Sequence, residues 1–178
     1  MTRSSLNKLI NFIWFQCIWV LAIFTQYKFW WAIAGLLVGF YLVCKQPRLD
    51  ATCMLVIVVL GTAVDSVLTL TGIFAFSGPV YVVPIPLWLV GLWAGFSLTL
   101  GHSLNYLQGR PGLSALLGVI FGPLSYWAGA RFGAVDFPNS VVFTLIVLAV
   151  VWGVLFPLCM YVCKLCQTRL SPKQVSTH

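Results

Sequence analysis

Acidic residues are nearly missing from this 178-residue chain: Asp and Glu together number 3, against 10 Lys and Arg, and charged residues of both signs make up 7%. Soluble domains carry about 25% charged residues. With 61% hydrophobic residues, a water-soluble fold of this size would leave apolar surface it cannot hide. Lipid is therefore the expected main solvent. The net charge of +7 does not signal nucleic acid, because the basic residues form no single patch. They stand at the ends of apolar segments, where the positive-inside rule places them. No nucleic-acid partner is expected.

Other absences narrow the chemistry. There is no G-x-S-x-G elbow and no phosphate-cradling glycine loop. His102 is the one histidine near an apolar segment, and His178 lies in the C-terminal tail, so no zinc constellation is present. The cysteines are Cys17, Cys44, Cys53, Cys159, Cys163 and Cys166. Most fall at helix ends expected on a reducing, cytoplasmic side, so disulfides are not expected. Cys163 and Cys166 form a C-x-x-C that shares a helix face with Cys159, but so loose a pattern favours soft packing residues over a metal or redox pair. Neither cofactor nor metal is expected. Arg3 and Lys8 precede an apolar stretch, as in a signal peptide. No small-x-small cleavage site follows, so the stretch reads as an uncleaved first transmembrane helix.

What the chain does have is apolar segments of spanning length, about 20 residues. They run from about 9–25, 29–44, 51–74, 86–107, 113–132 and 141–163. The expected fold is all-α: a polytopic membrane protein, a six-transmembrane-helix bundle over 1–163. A polar, disordered cytoplasmic tail over 164–178 is expected to follow. The short links 45–50 and 108–112, the latter with Pro111 at a helix start, favour antiparallel neighbours. With the N-terminus inside, Arg3, Lys8, Lys45, Arg48, Arg110, Lys164, Arg169 and Lys173 fall inside, against Lys28 and Arg131 outside. That bias places both termini in the cytoplasm. The uncharged link 77–86 reads either as a lid over an outward-facing cavity or as a snug connector beside interfacial Tyr81 and Trp88. The connector is favoured, since aromatic belts are common.

Asp65 is the one charge in the run from Ala51 to Phe76. A charge at the bilayer centre costs at least about 2.5–3.5 kcal/mol. Asp65 must then face the bundle, protonated, hydrogen-bonded or paired. At about 1.5 Å per residue it lies about 21 Å along the third helix, just past the midplane. The same counting brings Trp93, Ser97, Ser125 and Tyr126 near its level, with Arg131 about 9 Å farther out. The candidate ligand site is an outer-half pocket of Asp65, Ser97, Ser125, Tyr126 and Arg131, walled by Trp93 and Trp127. Arg131 is expected to reach Asp65 directly, or through Tyr126 or water, as a ligand anchor or as a pair fixing helix register. His102 and Asn105, three apart near the inner end of the fourth helix, are a candidate proton relay or simple backbone partners. Gly35 and Gly39, Gly91 and Gly95, Gly118 and Gly122, and Gly129 and Gly133 are spaced for close helix approach, within a tight monomer, in a homo-oligomer or against a membrane partner. Pro123, beside Gly122, is expected to bend the fifth helix near the polar level, and Pro157 the sixth.

Three stretches, VDSVLTLTG, PLWLVGLWAGFSLTLGHSLNYLQGRPG and GPLSYWAGARFGA, resemble the bacterial inner-membrane family catalogued as domain of unknown function 2878. The resemblance runs from Leu6 to about Val162. It implies a multi-pass plasma-membrane protein of Gram-negative type and no established activity. Three functions stay open. The first is to bind or move a small lipid-like or amphipathic molecule at the outer pocket, with membrane lipids around it. The second is an intramembrane lipid-modifying enzyme using Asp65 or His102 as acid or base, which a depth gap of about 13 Å between them weakens. The third is a non-catalytic accessory or assembly subunit held through its glycine faces. No inverted repeat is detectable, which weighs against alternating access.

Overall fold

The computed structural model describes residues 2–76 and 83–170. Six α-helices follow one another: α1 (Arg3–Thr25), α2 (Trp30–Val43), α3 (Pro47–Leu70), α4 (Leu87–Leu100), α5 (Pro111–Arg131) and α6 (Val141–Leu170), with a 3-10 turn at Asn105–Leu107 between α4 and α5. Among the described residues the one extended pairing is an isolated antiparallel bridge between Ala75 and Asp136.

Helices α1, α3, α5 and α6 are long and apolar enough to cross a membrane. Helices α2 and α4 are apolar but have 14 residues each. At 1.5 Å per residue that is about 21 Å, less than the roughly 30 Å of a bilayer's hydrocarbon. Large apolar side chains such as Leu42, Val59, Leu70, Val142 and Val154 are exposed around the bundle, a surface that suits lipid and not water.

Helix bounds differ from the hydropathy reading where polar groups intervene. The fourth helix stops at Leu100 instead of running to Leu107. Leu104 N–H turns back to the Thr99 carbonyl. Asn11 of α1 serves the helix end: its Nδ2 donates to the Leu98 carbonyl, and its Oδ1 accepts the Ser103 N–H. A side chain from another helix satisfies backbone groups that would otherwise be orphaned. Helix α1 starts at Arg3, where Thr2 caps it through Oγ1 to the Ser5 N–H. Helix α3 starts on Pro47, a residue suited to a first turn. Helix α6 continues to Leu170 through the first part of the expected tail. Residues 171–178 of that tail and 77–82 of the link read as a connector or a lid lie outside the described residues; Ile85 and Pro86, at the end of the link, are buried.

Helix α4 is the centre of the bundle, packed on α3, α1 and α2, while α5 lies along α6. Close approach depends on glycine. A Cβ at Gly118 would strike the Trp152 backbone, and one at Gly122 the Trp152 side chain. Ile18 of α1 fits against Gly95, and Ile33 of α2 against Gly91. These pairs therefore serve packing inside the chain. Gly35 faces open space. Gly133, at φ +72°, makes the left-handed turn after α5.

Arg3, Lys8 and Lys45 gather around one cavity at one end of the bundle. At the far end, the links are laced together by the reciprocal Ala75–Asp136 bonds, by Asn139 Nδ2 donating to the Gly72 carbonyl (2.6 Å), and by Gln26 Nε2 donating to the Gly133 carbonyl (3.3 Å). Overpacking typically costs about 1–3 kcal/mol. Gly118→Leu or Gly122→Leu should accordingly lower the melting temperature of the protein in detergent, while Gly35→Ala should not. Equal tolerance of all three would contradict the α5–α6 packing.

Candidate functional site

Helix α3 buries a stripe of Cys53, Ile57, Gly61, Asp65 and Leu68, spaced three and four apart. Asp65 is 1% exposed. One turn away, Gly61 has no side chain, and the Trp93 indole of α4 occupies the space that a Cβ there would take. Packed this closely on α3, the indole directs its Nε1–H to Asp65 Oδ2 at 2.7 Å. From α5, Tyr126 donates its hydroxyl to Oδ1 at 2.6 Å. Three helices thus meet on one carboxyl group, and each of its oxygens has a donor. Both distances are in the short range of hydrogen bonds to a charged acceptor.

The donors are themselves held by rings. Trp93 stacks on Trp152 of α6, with centroids 5.3 Å apart and planes 3° apart. Tyr126 stacks on Phe74 at 5.1 Å. Phe96 stands edge-on to both Trp93 and Trp152.

Of the residues expected in the pocket, Asp65, Trp93 and Tyr126 come together. Ser97 is buried but donates to the Ala94 carbonyl of its own helix. Ser125 accepts the Trp19 Nε1–H of α1 at 2.9 Å. Trp127 and Arg131 face outward: both are exposed, and the guanidinium lies 6.0 Å from the Trp127 ring centre. No ion pair joins Arg131 to Asp65. The reason is angular, since five residues beyond Tyr126 is about 140° round the helix. His102 and Asn105 do not share a helix face, because α4 has ended before them. Asn105 is exposed in the 3-10 turn. His102 Nε2 meets Asp50 Oδ1 at 3.1 Å, and its ring stands edge-on to Phe40 at 5.3 Å. The six cysteines are free, and no group of three or more His, Cys, Asp or Glu that could hold a metal occurs among the described residues.

Beside Trp93 and Tyr126 lies a cavity of about 530 Å³ between α1, α4, α5 and α6. Its walls include Trp19, Trp93, Phe96, Ser125, Tyr126 and Trp152, whereas Asp65, Ser97, Trp127 and Arg131 are not part of them. Phe12, Phe121 and Leu124 also line it and are exposed, so it opens sideways between α1 and α5. Reasoning from polar residues missed the α1 wall. Its trace was an apolar spacing, Phe12, Phe15, Trp19 and Ile23, on one helical face.

An apolar exterior and four helices long and apolar enough to cross a membrane mark a helical membrane protein. The chain belongs to the DUF2878 family, described as a protein of unknown function, whose model matches residues 8–158. No curated protein and no solved structure matches it.

Asp65→Asn preserves a bond to each partner, because the amide oxygen accepts from Trp93 and the amide nitrogen donates to the Tyr126 oxygen. Asp65→Leu leaves both donors buried and unmet, at about 1–3 kcal/mol each. The Tyr126 hydroxyl proton loses its acceptor in Asp65→Asn, so thermal melts should rank wild type above Asp65→Asn and Asp65→Asn above Asp65→Leu. An Asn variant as unstable as the Leu variant would show that the charge itself is required.

Proposed function

We propose that the protein binds a small lipid-like or amphipathic molecule, with the apolar part in the aromatic cleft between α1 and α5. The observation that carries this is the cleft itself. Its volume, about 530 Å³, is in the range of about 300–1,000 Å³ typical of ligand sites. Its walls are mostly aromatic, and it opens past exposed Phe12, Phe121 and Leu124, toward the side where acyl chains would lie. Ser125 already accepts the Trp19 bond across the gap, and its hydroxyl proton is free to meet a ligand oxygen. In this reading Asp65 is a positioning residue. It holds Trp93 and Tyr126 in the wall and does not touch the ligand.

The distribution of charge supports an inner-membrane orientation with both termini cytoplasmic, Lys28 and Arg131 being the outward cations. All six helices then cross, α2 and α4 as short spans completed by their links. The alternatives have less support. The His102–Asp50 pair does not line the cleft, and Asp65, itself outside the cleft wall, has its two oxygens taken by Trp93 and Tyr126. An accessory subunit clamped through glycine would need open glycine faces, whereas Gly91, Gly95, Gly118 and Gly122 are already covered from within.

The test is native mass spectrometry of gently solubilised wild type beside Leu117→Trp, which fills the cleft. Wild type should retain a defined molecule beyond bulk phospholipid, and the filled variant should lose it while keeping its melting temperature. Identical bulk lipid on both would remove the binding reading.

A further inference from the structure

A second cavity, of about 470 Å³, lies at the basic end, lined by Arg3, Ser4, Asn7, Lys8, Lys45, Gly101, His102 and Asn105. It is separate in composition from the aromatic cleft. Its wall holds three permanent cations and no carboxylate. None of the three has an ion-pair or hydrogen-bond partner among the described residues. The nearby acid, Asp50, does not line the cavity; its side chain is 11% exposed and is engaged by His102. Ser4 and Lys8, and Arg3 and Asn7, are each four apart, so the first two turns of α1 present hydroxyl, amide and cations on adjoining faces. The same turns are the positive end of the α1 dipole, which adds to the field. Lys45 comes from the α2–α3 link and Asn105 from the turn after α4, so three separate parts of the chain converge.

We propose that this cavity is a binding site for a phosphate group, either the headgroup of an anionic phospholipid or free inorganic phosphate. Cations convergent from several directions, with amide and hydroxyl donors between them, match a tetrahedral oxyanion that accepts on every oxygen. Basic cavities between helices at a membrane surface are suited to lipid headgroups, and Leu6, Leu9 and Ile10, exposed on α1 beside the site, offer apolar surface for attached chains. The site does not depend on the aromatic cleft being occupied.

Ordinary positive-inside charge would also attract anionic lipid, but without regard to which cations are removed. The test therefore compares two double variants in the full-length protein. Lys8→Gln with Lys45→Gln removes cations from the cavity. Arg48→Gln with Arg110→Gln removes the same charge from the same end, outside it. Each is reconstituted in phosphatidylcholine nanodiscs doped with phosphatidylglycerol, and bound anionic lipid is counted by native mass spectrometry. Binding of inorganic phosphate is measured separately by calorimetry in neutral detergent. The cavity pair should weaken binding about 25-fold, two cations at about fivefold each, and the outside pair far less. An effect on lipid alone identifies a headgroup site; an effect on inorganic phosphate as well identifies a site for the free anion. Equal losses in the two pairs, or no binding of either probe by wild type, would overturn the proposal. Unchanged melting temperatures confirm that the variants are folded.

Discussion

Two hydrogen bonds to one carboxyl group hold the middle of this bundle together. Asp65 of α3 accepts Trp93 from α4 and Tyr126 from α5, and the arrangement continues in a closed circuit. Trp93 stacks on Trp152 of α6. Trp152 fits against the bare backbone of α5 at Gly118 and Gly122. One turn past Gly122, Tyr126 returns to Asp65. In a lipid solvent, apolar helices gain little from burying apolar faces against one another. Packing at small residues and interhelical polar bonds decide which helices meet. The circuit uses both, and it accounts for an acid in an otherwise apolar run.

The same circuit shapes the cleft. Trp93, Tyr126 and Trp152 form its inner wall because their positions are set from behind, by Asp65 and by glycine. The outer wall, α1, is attached differently: it packs on α2 and α4 and reaches α5 through the Trp19–Ser125 bond. The cleft therefore lies where α1 and α5 are joined by few contacts, although α1 is itself firmly packed on α4. The polar work at the basic end is distinct in chemistry. There the cations are unpaired and solvent-facing, whereas Asp65 is buried and satisfied.

Much of this was legible in the residues. Hydropathy marked six apolar helices, and the misplaced charge at Asp65 marked the level at which they connect. Counting the helical rise brought Trp93 and Tyr126 to that level. Rise measures depth and not direction, and this is where the reading parted from the structure. Trp127 and Arg131 have suitable depth but wrong azimuth, and Ser97 turns to its own backbone. The end of α4 was hidden because Asn11, far away in sequence, supplies the groups that terminate it. The His102–Asp50 pair was hidden for a similar reason: Asp50 was placed in a link, whereas it lies in the first turn of α3. Trp93, Ser125 and Tyr126 of the expected pocket do line the cleft, but its α1 wall was invisible to a search for polar residues because α1 contributes aromatic rings to it and no charge.

The most direct test of the central claim is the indole N–H resonance of Trp93 in ¹⁵N-labelled protein, assigned by a Trp93→Phe variant and followed through hydrogen exchange in wild type and Asp65→Leu. With Asp65 as its acceptor, the Trp93 indole proton should be shifted downfield and protected in wild type, and both features should be lost in Asp65→Leu while the Trp14 indole, bonded to the Leu36 carbonyl, stays unchanged. A Trp93 resonance indifferent to residue 65 would mean that the carboxyl group does not hold the wall of the cleft.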